Sequence, residues 1–319
     1  MLLSSGSVPA TLTSPASASG TGPVPPGRHR PRTRSDHTVP LHHPAPLNGA
    51  HTPDLSGETV VALHAHPDDE SIFTGLTLRR LADAGARIVL VMATGGDLGG
   101  SRLPLADGET VTARRRRELE DAAALLGVSR LVLLGHRDSG LPGGPGTAHP
   151  HALAGADPVV LGRTVAELVD AEGAGTVVHD DDAGIYGHPD HRAAHAAGAV
   201  AVALTGATGY RMTVDREHLA VSARDGHLVH GAARAAGVPF GRVTAEIAVA
   251  VAGTAAELAV KRDAMLAHAS QIDPAGVPGD GFAAAYGYEW FLRGERDGAP
   301  AAPGVLDALG NAHLLAGAR

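Results

Sequence analysis

The chain has 319 residues, 44% of them hydrophobic, enough to bury the core of one domain of ordinary to large size. Its formal net charge of −8 argues against a sequence-independent grip on nucleic acid. The absence of cysteine excludes disulfides and thiolate metal sites, so any bound metal must rest on His and carboxylate.

Residues 1–57 are rich in Pro, Ser, Thr and Gly and cannot bury enough apolar surface to offset their chain entropy, which predicts a disordered extension. After Met1-Leu2-Leu3 the chain turns at once to polar residues, unlike a secretory signal, and no apolar run approaches the ~20 residues that cross a bilayer. A cytoplasmic protein without membrane insertion is the expectation. The ordered domain is expected over 58–298. It begins with the apolar run Thr59–Leu63, suited to a strand buried on both faces. A helix over Ser71–Ala84 closed by Gly85, a strand over Arg87–Ala93 and a glycine-rich loop over Thr94–Gly100 follow. Next come a helix over Val111–Leu126 ended by Gly127, a strand over Arg130–Leu134, a helix over Pro158–Ala171, a strand over Gly175–His179 and a helix over Ala193–Leu204. Residues 205–250 are less legible, with strands expected near Val221 and Ile247; Thr254–Ala267 reads as an amphipathic helix and 299–319 as a loose tail. Alternation of this kind predicts an α/β fold, a Rossmann-like, mostly parallel sheet flanked by helices on both faces. Such sheets bind ligands beyond the carboxyl ends of their strands.

Two segments at such ends carry the chemistry. The first strand runs into Ala65-His66-Pro67-Asp68-Asp69-Glu70, where three carboxylates crowd one histidine. Packed like charges are costly unless a cation or hydrogen bonds offset them. The fourth strand is followed by Tyr186-Gly187-His188-Pro189-Asp190-His191. In a chain with 19 histidines a single His-Pro-Asp means little, but two such turns project imidazole and carboxylate onto the same rim of one sheet. Two His and one Asp leave a coordination position open, the arrangement of catalytic rather than structural zinc, in which the metal acidifies water and polarises a carbonyl. The same donors accept Fe(II) or another divalent ion.

In these motifs the chain resembles the PIG-L/LmbE-like de-N-acetylases, over roughly residues 60 to 271. The resemblance implies hydrolysis of the acetamide of an N-acetylglucosamine-type small molecule or glycoconjugate, releasing acetate and a free amine. It implies zinc ligands at His66, Asp69 and His191, a general base at Asp68, and His188 as the group that stabilises the oxyanion or protonates the amine, oriented by Asp190. Tyr186 matches a family tyrosine that polarises the carbonyl. More loosely, Arg115 and Asp138 match substrate-binding positions, although Arg115 lies in the run Arg114–Arg117, where most side chains must face solvent. Asp97 stands where the family more often carries Glu. His149-Pro150-His151 reads as a solvated loop. An amidase of a larger thiol- or sugar-conjugate amide would share these catalytic residues, whereas a non-catalytic nucleotide or sugar binder would have no need of both clusters. The partner implied is a small amino sugar; oligomeric state is not encoded legibly.

Overall fold

The sheet is built by strands buried on both faces, and its winding reverses at one point. In the computed structural model, which describes residues 53–223, 226–296, 299–300 and 302–310, the chain runs β1 (Thr59–His64), α1 (Asp69–Phe73), α2 (Gly75–Asp83), β2 (Arg87–Thr94), α3 (Val111–Leu126), β3 (Arg130–His136), α4 (Pro158–Glu172) and β4 (Thr176–Asp180). It continues through a single turn α5 (Gly184–Gly187), then α6 (Pro189–Thr205), β5 (Thr208–Thr213), α7 (Arg216–Ser222), α8 (Leu228–Ala236), β6 (Val249–Ala252), α9 (Ala255–Ala267), α10 (Phe282–Tyr286), β7 (Tyr288–Arg293) and α11 (Val305–Leu309).

Seven strands form one sheet in the order β3-β2-β1-β4-β5-β7-β6. The first five of these pair in parallel, and β7 runs antiparallel to both β5 and β6. Alternation along the strands feeds two cores. Val60 and Ala62 of β1 with Ile88, Leu90 and Met92 of β2 pack on one face; Val61, Leu63, Val89 and Val91 pack on the other. The first face takes α2, α3 and α9, and the second takes α4 and α6. The crossovers therefore change sides between β1 and β4, and neighbouring strands whose connections leave in opposite directions open a crevice at their carboxyl ends. Both motifs lie there.

Several expectations are corrected. The helix expected over Ser71–Ala84 breaks at Thr74, whose backbone N–H and hydroxyl both return to the Glu70 carbonyl. A second helix then starts with the amides of Leu76 and Thr77 donating to the Glu289 carboxylate, a long-range cap invisible in local sequence. The strand expected near Val221 is instead α7, with Val221 exposed. The helix expected from Ala193 begins at Pro189, so Asp190 and His191 stand on its first turn. Of the expected extension, 1–52 lie outside the described residues; within 53–57, Leu55 is buried and its amide donates to the Ala84 carbonyl. Within the expected tail, Leu306 and Leu309 of α11 are buried. No helix among the described residues is long and apolar enough to cross a membrane.

Candidate active site

The turn after β1 places its carboxylates through unusual backbone geometry. Asp68 has φ 118°, sterically costly for a residue with a Cβ. Its amide donates to Glu70 Oε2, and Glu70 Oε1 in turn meets the Ser71 hydroxyl and His268 Nε2 at 2.6 Å. Glu70 and His268 are fully buried, so this distant helix end braces the strained residue. Arg115 completes the brace. Of the four consecutive arginines it alone enters the interior: Nη1 donates to the Gly96 carbonyl at 2.9 Å, while Nη2 donates to the Pro67 carbonyl and lies 3.4 Å from Asp68 Oδ2. Arg114 and Arg117 pair with Glu109, and Arg116 with Glu120. The glycine loop makes room for Arg115, because a Cβ on Gly96 would lie 2.2 Å from its guanidinium.

The turn after β4 converges on the same point. The His66 and His191 ring centroids are 5.3 Å apart, and those of His66 and His188 4.7 Å. Among the described residues two groups close tightly enough to hold an ion with one ligand atom each: His66, His188 and His191, and His66, Asp138, His188 and Asp190. The set implied by the resemblance differs by taking Asp69 in place of His188. Asp69 Oδ2 lies 3.5 Å from both His66 Nδ1 and His191 Nε2. Ligand atoms ~2.1 Å from one tetrahedral ion sit ~3.4 Å apart, close to each of these two distances. The far nitrogen of each imidazole meets a carboxylate. His66 Nε2 meets Asp190 Oδ2 at 3.1 Å, and His191 Nδ1 meets Asp180 Oδ1 at 2.7 Å. Metal-bound imidazoles are characteristically held this way by a carboxylate on the nitrogen facing away from the ion. Among the described residues Asp190 Oδ1 and Asp180 Oδ2 have no hydrogen-bond partner, and the cluster as a whole is acid-rich and buried, which suits a cation.

The electrostatics follow from that crowding. Although burial disfavours the imidazolium, the carboxylates of Asp69 and Asp180 lift His191 to about 9. Burial pushes Asp68 up to about 6, with Arg115 opposing it. Burial lowers His188 to about 3, and the nearby His66 and His191 rings add to the effect, so His188 is neutral at ordinary pH. Its Nδ1 accepts the Asp190 amide at 3.2 Å as the cap of α6, which leaves the proton on Nε2, available to the site. Tyr186 is held well above its ordinary value by burial and then by the surrounding carboxylates, and its hydroxyl lies 3.4 Å from His191 Nε2.

One expected contact is replaced. Asp190 meets His188 through its backbone amide, while its Oδ2 accepts the Ser139 amide at 2.8 Å and meets His66. Asp138 lies at the same cluster, with Oδ1 3.6 Å from His66 Nε2, and its backbone amide donates to Asp97. Asp180 and Asp181 were not singled out by sequence reasoning. Their signal was the run Asp180-Asp181-Asp182 at a strand's carboxyl end. His149 and His151 contact each other in the loop after β3.

The family described as PIG-L, GlcNAc-PI de-N-acetylase, matches residues 61–202. A protein named 1D-myo-inositol 2-acetamido-2-deoxy-alpha-D-glucopyranoside deacetylase, from Nakamurella multipartita, is 36% identical over 247 residues, 70% of this chain and 82% of that protein. The chain belongs to the PIG-L family. A protein of the same name from Kineococcus radiotolerans is 39% identical over 168 residues, 48% of this chain and 46% of the relative, so the chain spans about half the length of some relatives it matches. Among solved structures, the A40926 pseudoaglycone deacetylase superposes with a TM-score of 0.51 at 16% identity, over 73% of this chain and 96% of that one. At that identity the likeness concerns the fold. The residues matched by the PIG-L family include both motifs that meet at the crevice.

Proposed function

We propose that this PIG-L protein is a metal-dependent N-deacetylase, with zinc the metal, acting on an N-acetylglucosamine-type small molecule; the named relatives suggest an N-acetylglucosaminyl inositol. The observation that carries this reading is the pair of imidazoles, His66 and His191, each backed by a carboxylate and each 3.5 Å from Asp69 Oδ2. His66, Asp69 and His191 would hold the ion, which supplies Lewis acidity toward the amide carbonyl and acidifies water.

The chain's own groups do the rest. Asp68, beside the ligands yet not tied to either histidine, takes the proton from the attacking water and returns it to the departing nitrogen. His188 donates from Nε2 to the carbonyl oxygen as negative charge develops on it, and the Tyr186 hydroxyl, kept protonated by its surroundings, donates as well. Asp138 holds a sugar hydroxyl, and Arg115 fixes the backbone that carries Asp68. Acetate and a free amine leave.

The test is release of primary amine from 1D-myo-inositol 2-acetamido-2-deoxy-α-D-glucopyranoside by metal-loaded protein. Asp68→Ala should lower kcat by a factor of ~10² or more. An Asp68→Ala protein that turns over at the parent rate would remove Asp68 from this role.

A further inference from the structure

Three groups hold the Asp68 turn: the Glu70 carboxylate, the Arg115 guanidinium, and the glycine loop whose Gly96 carbonyl Arg115 also meets. Each is fastened to the four residues that follow α9. His268 Nε2 meets Glu70 Oε1. The Ser270 amide and hydroxyl donate to Glu118 Oε1 and Oε2, at 2.9 and 2.6 Å. Glu118 stands three residues after Arg115 on α3 and so shares its face. The Ser270 carbonyl accepts the Arg102 amide at 2.9 Å, and Gln271 Nε2 donates to the Gly100 carbonyl at 2.9 Å, which ties down the far end of the glycine loop. Glu118 is buried, and among the described residues no cation is paired with it, since Arg114 pairs with Glu109 instead. A buried carboxylate held by one serine is costly, and apolar groups of like shape in place of both partners would serve packing nearly as well. What the pair supplies is direction. Two bonds to one carboxylate fix the rotation of α3 about its axis, and with it the reach of Arg115 one turn earlier.

We propose that Ser270 is a positioning residue for the hydrolysis: through Glu118 it orients α3 so that Arg115 holds the Pro67 carbonyl and faces the Asp68 carboxylate. Its effect on rate rests on the deacetylase reading; its effect on the Asp68 turn does not. Ser270 is buried behind Glu118 and acts only through these neighbours.

The test compares the parent with Ser270→Ala, which leaves Glu118 Oε2 without its donor, and Ser270→Thr, which keeps the hydroxyl. In Ser270→Ala, kcat for amine release from 1D-myo-inositol 2-acetamido-2-deoxy-α-D-glucopyranoside should fall by a factor of ~10 or more with KM little changed. Ser270→Thr should run near the parent rate. A full rate in Ser270→Ala, or an equal loss in both variants, would overturn the proposal. Amide exchange followed by mass spectrometry reads the same displacement without substrate. The amides of residues 68–72 should exchange ~10 times faster in Ser270→Ala, while those of α6 keep the parent rate. Acceleration of both segments together, or of neither, would also overturn it. Acceleration confined to 68–72, with no amine release from the parent protein, would support the positioning role and count against the deacetylase reading.

Discussion

His191 Nδ1 lies 2.7 Å from Asp180 Oδ1, and both side chains are fully buried. The contact fixes which imidazole nitrogen faces Asp69 and keeps it basic. Asp180→Asn should therefore lower metal affinity ten- to a hundredfold. Competition with a chromophoric chelator measures this directly. In the same frame, adding zinc to chelator-stripped parent protein should raise Tm, because an ion that binds only the folded state stabilises it. The absence of any rise would argue against a metal site.

Ile185 is buried at φ 55°, ψ −61°, a conformation a β-branched residue rarely adopts. It is held there from both sides: its amide donates to Asp181 Oδ1 at 2.8 Å, and its carbonyl accepts the Gly241 amide at 2.7 Å. The next residue is Tyr186. Asp181→Ala should leave the Ile185 amide and the Thr213 hydroxyl without their acceptor, at about 1–3 kcal/mol each. It should lower kcat more than it raises KM, because Tyr186 is displaced. Asp181→Asn keeps an oxygen toward Ile185 and should recover much of the rate. Equal kinetics for the two variants would show that the clamp does not position Tyr186.

Gly198 of α6 lies against His179 of β4, and a Cβ there would sit 2.4 Å from the ring. Gly198→Ala must push the helix off the sheet, at about 1–3 kcal/mol, and Tm should fall by about 2–4 °C for each kcal/mol. An unchanged Tm would mean that the helix yields without cost.

Burial lowers the pKa of His179 to about 3, with the nearby His195 adding to the shift. Below pH ~6.5 the unfolded chain binds a proton that the folded chain refuses. Stability from this group is thus complete above pH ~6.5 and is lost as pH falls toward 3, at up to about 1.4 kcal/mol per unit. Denaturant titrations between pH 6 and 4 should show a shallower pH slope for His179→Asn than for the parent. Parallel slopes would exclude this contribution.

Much of the architecture was readable from local pattern. Val60 to Leu63 and Ile88 to Val91 are apolar at every position because both faces of their strands are covered. Gly127 and Gly206 mark helix ends because they adopt positive φ there. The break at Thr74 was not readable, since Glu289, which caps the next helix, lies more than two hundred residues away. Nor was β7, which closes the sheet by pairing with β5 and β6 from the far end of the chain.

In the site the division is similar. His66, Asp69, His188 and His191 announce themselves, because reactive side chains must stand directly after strands, and proline marks each turn. Their partners do not. Arg115 is set apart from Arg114, Arg116 and Arg117 by facing a loop thin enough to admit it, and Asp190 and Asp180, from the start of α6 and the end of β4, each reach a different imidazole. Residue type and strand order follow from short-range pattern and chain connectivity. The choice of hydrogen-bond partner depends on distances of a few ångströms between segments remote along the chain, and those distances exist only once both cores have packed.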